Sequence, residues 1–177
     1  DINGGTVVDA SGSNGTDISG TDLSGNNMTD STGVDVSGSE GTNVSDTTAS
    51  GNDITGGKVV DASNSTGSDI SGTDMSGNNM TDSTGVDVSG SEGSSVSNTT
   101  ASDNDINGGT VVDASGSNGT DISGTDLSGN NMTDSTGVDV SGSEGTNVSD
   151  TTASGKDVSG GEEEGASTCS GSGMSGT

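Results

Sequence analysis

A period of 26 residues runs the length of this chain, and self-similarity on that scale admits few folds. Residues 1–51 and 105–155 are identical, and 53–104 is a close variant, so a 52-residue repeat is visible at once. Each 52-mer divides into halves whose apolar residues coincide. Ile2, Val8, Ala10, Ile18 and Leu23 return as Met28, Val34, Val36, Val44 and Ala49. Substitutions in this register stay among Ile, Leu, Met, Val and Ala, while the polar residues diverge. Such a pattern marks stacked units that bury a shared face against their neighbours.

Composition alone argues for disorder. The net charge is −26, and Phe, Trp, Tyr, Pro and His are all absent. A chain with so little apolar surface has difficulty offsetting the entropy of ordering. The strict apolar register and the missing proline argue the other way, since a disordered linker needs no register and is usually rich in proline. The acid is spread evenly. Rungs 1–26, 27–52, 79–104 and 105–130 carry −4 each, the two rungs with a lysine carry −3, and 157–177 carries −4. With Lys58 and Lys156 as the only basic residues, the clustered Lys and Arg of a nucleic-acid footprint are missing. No apolar run is long enough for membrane insertion as a helix. The chain starts at Asp1 with no signal peptide, which gives the expectation of a processed product or a piece of a longer chain. Cys169 stands alone and reads as a free thiol, or as one half of an intermolecular disulfide.

Within one rung the segment around Val8 alternates as a strand does, with Val8 and Ala10 inward and Asp9 and Ser11 outward. A Gly12–Gly15 loop follows, then the five-residue units TDISG, TDLSG and NNMTD, centred on Ile18, Leu23 and Met28. Short strands separated by Gly or Asp corners suit a coil that turns after each segment. Hairpins would need turn pairs such as Asn14-Gly15 and Asn118-Gly119 in every rung. The even rungs offer Glu40-Gly41, Glu92-Gly93 and Glu144-Gly145 instead. Helix is excluded by the glycines, the β-branched residues and the lack of a 3.6-residue stripe. The expected fold is therefore all-β, a parallel β-solenoid with 26-residue rungs, six full and a partial seventh. Residues 1–156 form the array, as double rungs 1–52, 53–104 and 105–156, and 157–177 read as a degenerate terminal rung or cap in which Glu162-Glu163-Glu164 replaces a strand. Five inward residues per rung make a thin core, so a longer array, lateral bundling, bound cations or glycans are expected to support it.

Stacking turns each position into a column. Asp9, Asp35, Asp61, Asp87, Asp113 and Asp139 form one on the outward side of the Val8 strand. Carboxylates ~4.8 Å apart repel by about 0.9 kcal/mol even in water. The column reads either as a Ca²⁺-binding edge, since hard cations prefer carboxylate oxygen, or as a solvated stripe that keeps edges apart. A second array is Ser-x-Thr: Ser19/Thr21, Ser45/Thr47, Ser71/Thr73, Ser97/Thr99, Ser123/Thr125, Ser149/Thr151 and Ser175/Thr177. It resembles the Thr-x-Thr faces of solenoid ice-binding proteins, which implies an exposed hydroxyl surface for ice or mineral; the frequent middle Gly suggests a corner instead of a flat face, and with it a hydrogen-bonded structural ladder. Asn26, Asn52, Asn78, Asn104 and Asn130 form an Asn column of the kind that stacks at a solenoid turn. Sequons fall at Asn14, Asn27, Asn43, Asn64, Asn79, Asn98, Asn118, Asn131 and Asn147, three to each 52-mer, and give N-glycosylation as an expectation. The segment GSNGTDISG (12–20) resembles the RTX calcium nonapeptide at Gly12, Gly15 and Asp17. It departs from it at Ser13, at the early Ile18 and in its 26-residue recurrence.

Catalysis is not expected, because there is no His, no nucleophile–base pair and no singular place on a repeating surface. No cofactor is required, and Ca²⁺ is the one candidate ligand. The leading expectation is a non-catalytic extracellular or cell-surface structural protein. It would be a segment of a fibre, filament or adhesin stalk, glycosylated or cation-stabilised, with other copies of itself as partners. The alternatives are an ice- or mineral-binding solenoid using the Ser-x-Thr and Asp ladders, and a disordered acidic Ca²⁺-binding matrix protein.

Overall fold

In the computed structural model the described residues are 1–150, together with the backbone of strands Asp157–Ser159, Glu162–Gly165 and Gly173–Ser175. The chain is an all-β solenoid of about 6 turns with ~26-residue rungs. The first rung supplies strands β1 (Ile2–Asn3), β2 (Thr6–Asp9) and β3 (Asp17–Ser19), and the second β4 (Asn27–Thr29), β5 (Thr32–Asp35) and β6 (Asn43–Ser45). Every pairing is parallel and joins equivalent residues of successive rungs: Ile2 with Met28, Val8 with Val34, Ile18 with Val44. Three seven-stranded sheets result, each crossed in rung order. A further side is held by single bridges, Asp22 to Thr48 and Thr48 to Asp74, beside Leu23 and Ala49. The array expected over 1–156 thus continues backbone pairing into the terminal segment, where Val138 faces Glu164.

The corners explain why short Gly- and Asp-rich units close a coil. After the first strand of each rung the backbone enters the left-handed region. Gly4 (φ 63) and Gly56 (φ 65) do so in odd rungs, Asp30 (φ 47) and Asp82 (φ 49) in even ones. Every non-glycine residue with positive φ among those described is Asp or Asn, the side chains that tolerate this region best.

The interior is thicker than five residues per rung. Rung 53–78 buries Ile54, Val59, Val60, Ala62, Ile70 and Met75 completely. Val59 belongs to a sixth inward column, Val7/Gly33/Val59/Gly85/Val111/Gly137, whose members alternate between Val in odd rungs and Gly in even ones. Simple alternation along the strand would turn this position away from the core. Yet a Cβ built at Gly33 meets the Leu23 side chain, and one at Gly85 comes within 2.8 Å of Met75 Cε and Sδ. Two successive residues therefore face inward here. Leu23 and Met75 lean from odd rungs into the space left by glycines of the even rungs, where Ala49 and Ala101 stand in place of the long side chains.

Buried polar columns complete the filling. Asn26, Asn52, Asn78 and Asn104 each donate their N–H to the Oδ1 of the next asparagine at 2.7–2.8 Å. Ser65, Ser91 and Ser117 donate through Oγ to the carbonyls of Val36, Ala62 and Val88, and Ser39, Ser65 and Ser117 donate their own N–H to the Oγ of the next serine along. These ladders satisfy the groups they join, whose burial would otherwise be costly, while Asn52 Nδ2, Asn104 Nδ2 and the Thr47, Thr73, Thr99 and Thr125 hydroxyls are buried without a partner. The odd rungs are therefore fuller than the five-residue count expects, and the reading as a disordered chain gives way to an ordered solenoid.

Candidate functional site

The candidate functional surface is the set of outward carboxylate columns. Odd rungs carry their acids at positions equivalent to Asp1, Asp9, Asp17 and Asp22, and even rungs at those of Asp30, Asp35 and Glu40, with a fourth at Asp46 and Asp150 or, in rung 79–104, at Asp103. Only the Asp9 position is acidic in both. Along the other columns a carboxylate faces a neutral residue in the next rung, so like charges stand two rungs apart, about 9.6 Å instead of ~4.8 Å. Asn79 Nδ2 donates to Asp53 Oδ1 at 3.2 Å, Asn131 to Asp105 at 3.1 Å, Ser95 Oγ to Asp69 at 2.9 Å and Asn147 to Asp121 at 3.1 Å.

The Asp9 column is the exception and is stacked as the sequence indicates, Asp9 on Asp35, Asp35 on Asp61, Asp61 on Asp87, Asp87 on Asp113 and Asp113 on Asp139. Each of its carboxylates has a structural task that the sequence reading did not assign. Its Oδ1 accepts the backbone N–H of the serine two residues on, at 2.8–3.0 Å from Ser11 to Ser141, which closes the corner after the strand. The Ser11 hydroxyl, and then its N–H, hold Asp9 below the usual carboxylate range; Ser24 does the same for Asp22.

Lys58 stands in this column's flank, where neighbouring rungs have Thr32 and Thr84. Its ammonium bridges Asp61 Oδ2 at 2.7 Å and Asp87 Oδ2 at 2.6 Å. Burial alone would lower the Lys58 pKa, but hydrogen bonds and charges from Asp61 and Asp87 outweigh it and leave the group above its ordinary value. Asp61 mirrors this. Burial pushes it up, and the Lys58 and Ser63 hydrogen bonds with the lysine charge bring it below the usual range. The sole Lys or Arg among residues 1–150 is thus spent on the sole uninterrupted carboxylate column. Among the described residues no three acidic side chains converge where a metal ion could be held.

The Ser-x-Thr array is not a surface. Ser45, Ser71, Ser97 and Ser123 are partly exposed, but Thr47, Thr73, Thr99 and Thr125 lie at 0–1% exposure inside the coil. The residue between them has positive φ, Asp46 (54) or Gly72 (65), and this corner sends the two hydroxyls to opposite sides. Ser19 is exposed and Thr21 half-buried in the first rung; Thr151, Lys156, Cys169 and Thr177 lie outside the described residues. The flat hydroxyl face that an ice- or mineral-binding reading needs is therefore not formed. Of the sequons, Asn27, Asn43, Asn79, Asn131 and Asn147 sit on strands, and Asn43, Asn79, Asn131 and Asn147 give their Nδ2 to a neighbouring Asp. Asn14 and Asn118 occupy single bridges, and Asn64 (φ 55) and Asn98 (φ 52) take positive-φ corners.

No family model matches the chain, and no curated protein does. Among solved structures it is similar to a trypsin-treated variant of QnrB1, a plasmid-mediated fluoroquinolone resistance protein, at 14% identity and TM-score 0.18, over 88% of this chain and 91% of that one. Full-length QnrB1 gives 13% identity and TM-score 0.18 over 88% and 94%. HetL, a pentapeptide repeat protein involved in heterocyst differentiation regulation from the cyanobacterium Nostoc sp. strain PCC 7120, gives 14% and 0.16 over 86% and 87%. None of these neighbours is a fibre or adhesin protein by its description, and the expectation of an extracellular fibre, filament or adhesin stalk is corrected: it is not carried further.

Proposed function

We propose that the chain is a non-catalytic binding scaffold, a stiff polyanionic solenoid that engages a lysine- or arginine-rich protein partner. The observation that carries this is the placement of charge. Odd and even rungs put their acids in different columns, so the negative potential covers the sides of the coil, and the one basic side chain of residues 1–150 is consumed internally. A surface of this kind attracts polycations and accelerates their encounter. It also repeats one arrangement many times, which suits multivalent contact better than chemistry at one centre.

Poly-L-lysine is a sufficient probe. Its affinity for the folded chain is to be compared, at low and at physiological salt, with its affinity for a scrambled chain of identical composition. Tighter binding by the solenoid, weakening with salt, supports recognition of ordered columns. Equal binding by the two chains would reduce the effect to net charge and remove the proposal.

A further inference from the structure

Four Asn-Gly pairs occur among the described residues: Asn3-Gly4, Asn14-Gly15, Asn107-Gly108 and Asn118-Gly119. All lie in the first and third 52-mers; the middle one has Thr55-Gly56 and Thr66-Gly67 at the matching places. Asn-Gly is the dipeptide most open to spontaneous rearrangement, because glycine offers no side chain to shield its nitrogen. The glycine amide nitrogen loses its proton and attacks the asparagine Cγ, and the side-chain amide leaves as ammonia. Water then opens the succinimide at either carbonyl, giving aspartate or isoaspartate. No oxidant or enzyme is needed.

The solenoid grips this peptide unit from both sides in the fifth rung. The Gly119 N–H donates to the Glu144 carbonyl at 2.8 Å, and the Asn118 carbonyl accepts the Gly93 N–H at 2.8 Å. The Gly108 N–H donates to the Thr133 carbonyl at 2.9 Å, and the Asn107 carbonyl accepts the Asp82 N–H at 2.9 Å. Ring closure requires the peptide plane to turn its nitrogen toward Cγ, which breaks both inter-rung hydrogen bonds. The attacking nitrogen is also the atom whose proton is engaged.

We infer that Asn107 and Asn118 are spontaneous-modification sites held closed by the rung ladder, so that deamidation there records opening of the coil. The consequence differs between them. Asn118 bridges Glu92 and Glu144 in a column where neutral and acidic residues alternate, so conversion to aspartate stacks three carboxylates. Asn107 lies in strand Asp105–Asn107, paired on both sides, and the extra backbone carbon of isoaspartate takes the strand out of register there.

The test is a time course at neutral pH and physiological temperature, read by peptide mapping that separates aspartate from isoaspartate. It compares the native chain, the chain in urea, and synthetic peptides spanning 104–111 and 114–123. Conversion at both sites should be slower in the native chain than in urea or in the peptides by about tenfold or more, since exchange-type events in a ladder wait for local opening. Native-chain rates equal to those of the peptides would overturn the inference. Conversion that is slow in urea as well would also overturn it, because protection would then come from sequence and not from the ladder.

Discussion

Odd and even rungs have the same length and the same three strands, yet they are not interchangeable. The odd rung is filled by Val59 and Met75 where the even one has Gly85 and Ala101. The even rung contributes Ser31, Ser83 and Ser135 where the odd one has Gly5, Gly57 and Gly109. Ser83 Oγ reaches back to the Ile54 carbonyl at 3.0 Å, and Gly57 N–H points at Ser83 Oγ at 3.5 Å. Outside, the two rungs place their acids in different columns. The 52-residue repeat is therefore the smallest unit that satisfies packing and charge together, while 26 residues is only the length of a turn. Writing one rung's residue into the other is the direct way to break this complementarity.

The largest effect is expected from Gly85→Val, which puts the odd residue into an even rung. The new Cβ meets the Met75 thioether and the Val111 carbonyl, and backbone cannot yield as a side-chain tip does. Overpacking of this kind costs about 3 kcal/mol. It should appear as a lower urea midpoint with an unchanged slope; a neutral Gly85→Val would show that the Val/Gly alternation is not steric.

Lys58→Thr comes next, since it restores the residue of the neighbouring rungs beside the Asp61–Asp87 pair. Asp87 is 6% exposed, so the loss leaves a carboxylate with little solvent to replace its partner. Breaking a buried pair costs about 3–5 kcal/mol; the half-exposed lysine head reduces this to about 2 kcal/mol. The pH dependence has a definite sign. Asp61 is depressed in the folded chain, so its contribution is complete above the unfolded carboxylate value and is lost as pH falls through the folded one. Lys58 is raised, so its contribution is complete below the unfolded lysine value and is lost as pH rises through the folded one. Parent and variant should differ most near neutral pH and converge in acid and in strong base. A difference that stays constant from acid to neutral pH would show that the ion pairs are not its source.

Thr99→Val should act in the opposite direction. Thr99 Oγ1 is fully buried without a hydrogen-bond partner, as are Thr47, Thr73 and Thr125 in the same column. Replacing an unpartnered hydroxyl by a methyl of similar shape should raise stability by about 1 kcal/mol. A loss of that size would mean that the column hydroxyls find partners within the folded coil.

What the sequence made legible follows from the size of the side chains involved. Ile2, Val8, Ala10, Ile18 and Leu23 were read as inward because each keeps an apolar equivalent in both kinds of rung. The Val59 column was missed because its even partner is Gly, which carries no hydrophobic signal. The clue was present: Val and Gly alternate in phase with the long and short residues of the Leu23 column. The Ser-x-Thr corner was legible in its middle Gly, but the burial of the threonine was not, since residues two apart share a face only when the residue between them is extended. Asp46 and its equivalents are left-handed. The Asp9 column was legible as a stack, but its corner hydrogen bonds to serine were not, since they depend on where the strand ends.

The smallest change tests the charge half of the comparison alone. Asn79→Asp gives an even rung the odd residue on an outward position, with no change of volume and no burial. Asn79 faces Asp53 on one side and Asp105 on the other, and its Nδ2 donates to Asp53 Oδ1. The substitution removes that donor and stacks three carboxylates, each adjacent pair repelling by about 0.9 kcal/mol in unscreened water. Exposure and physiological salt should reduce the net loss to about 0.5 kcal/mol. The discriminating readout is its dependence on conditions. The loss should grow at low ionic strength, shrink at high salt, and vanish as pH falls and the carboxylates take up protons. The Asp9 column predicts the same salt behaviour without any mutation, because it already stacks carboxylates and has Lys58 over only one of its steps. If Asn79→Asp is insensitive to salt, then alternation of Asp with Asn reflects hydrogen bonding between rungs, and charge avoidance is not what set the 52-residue period.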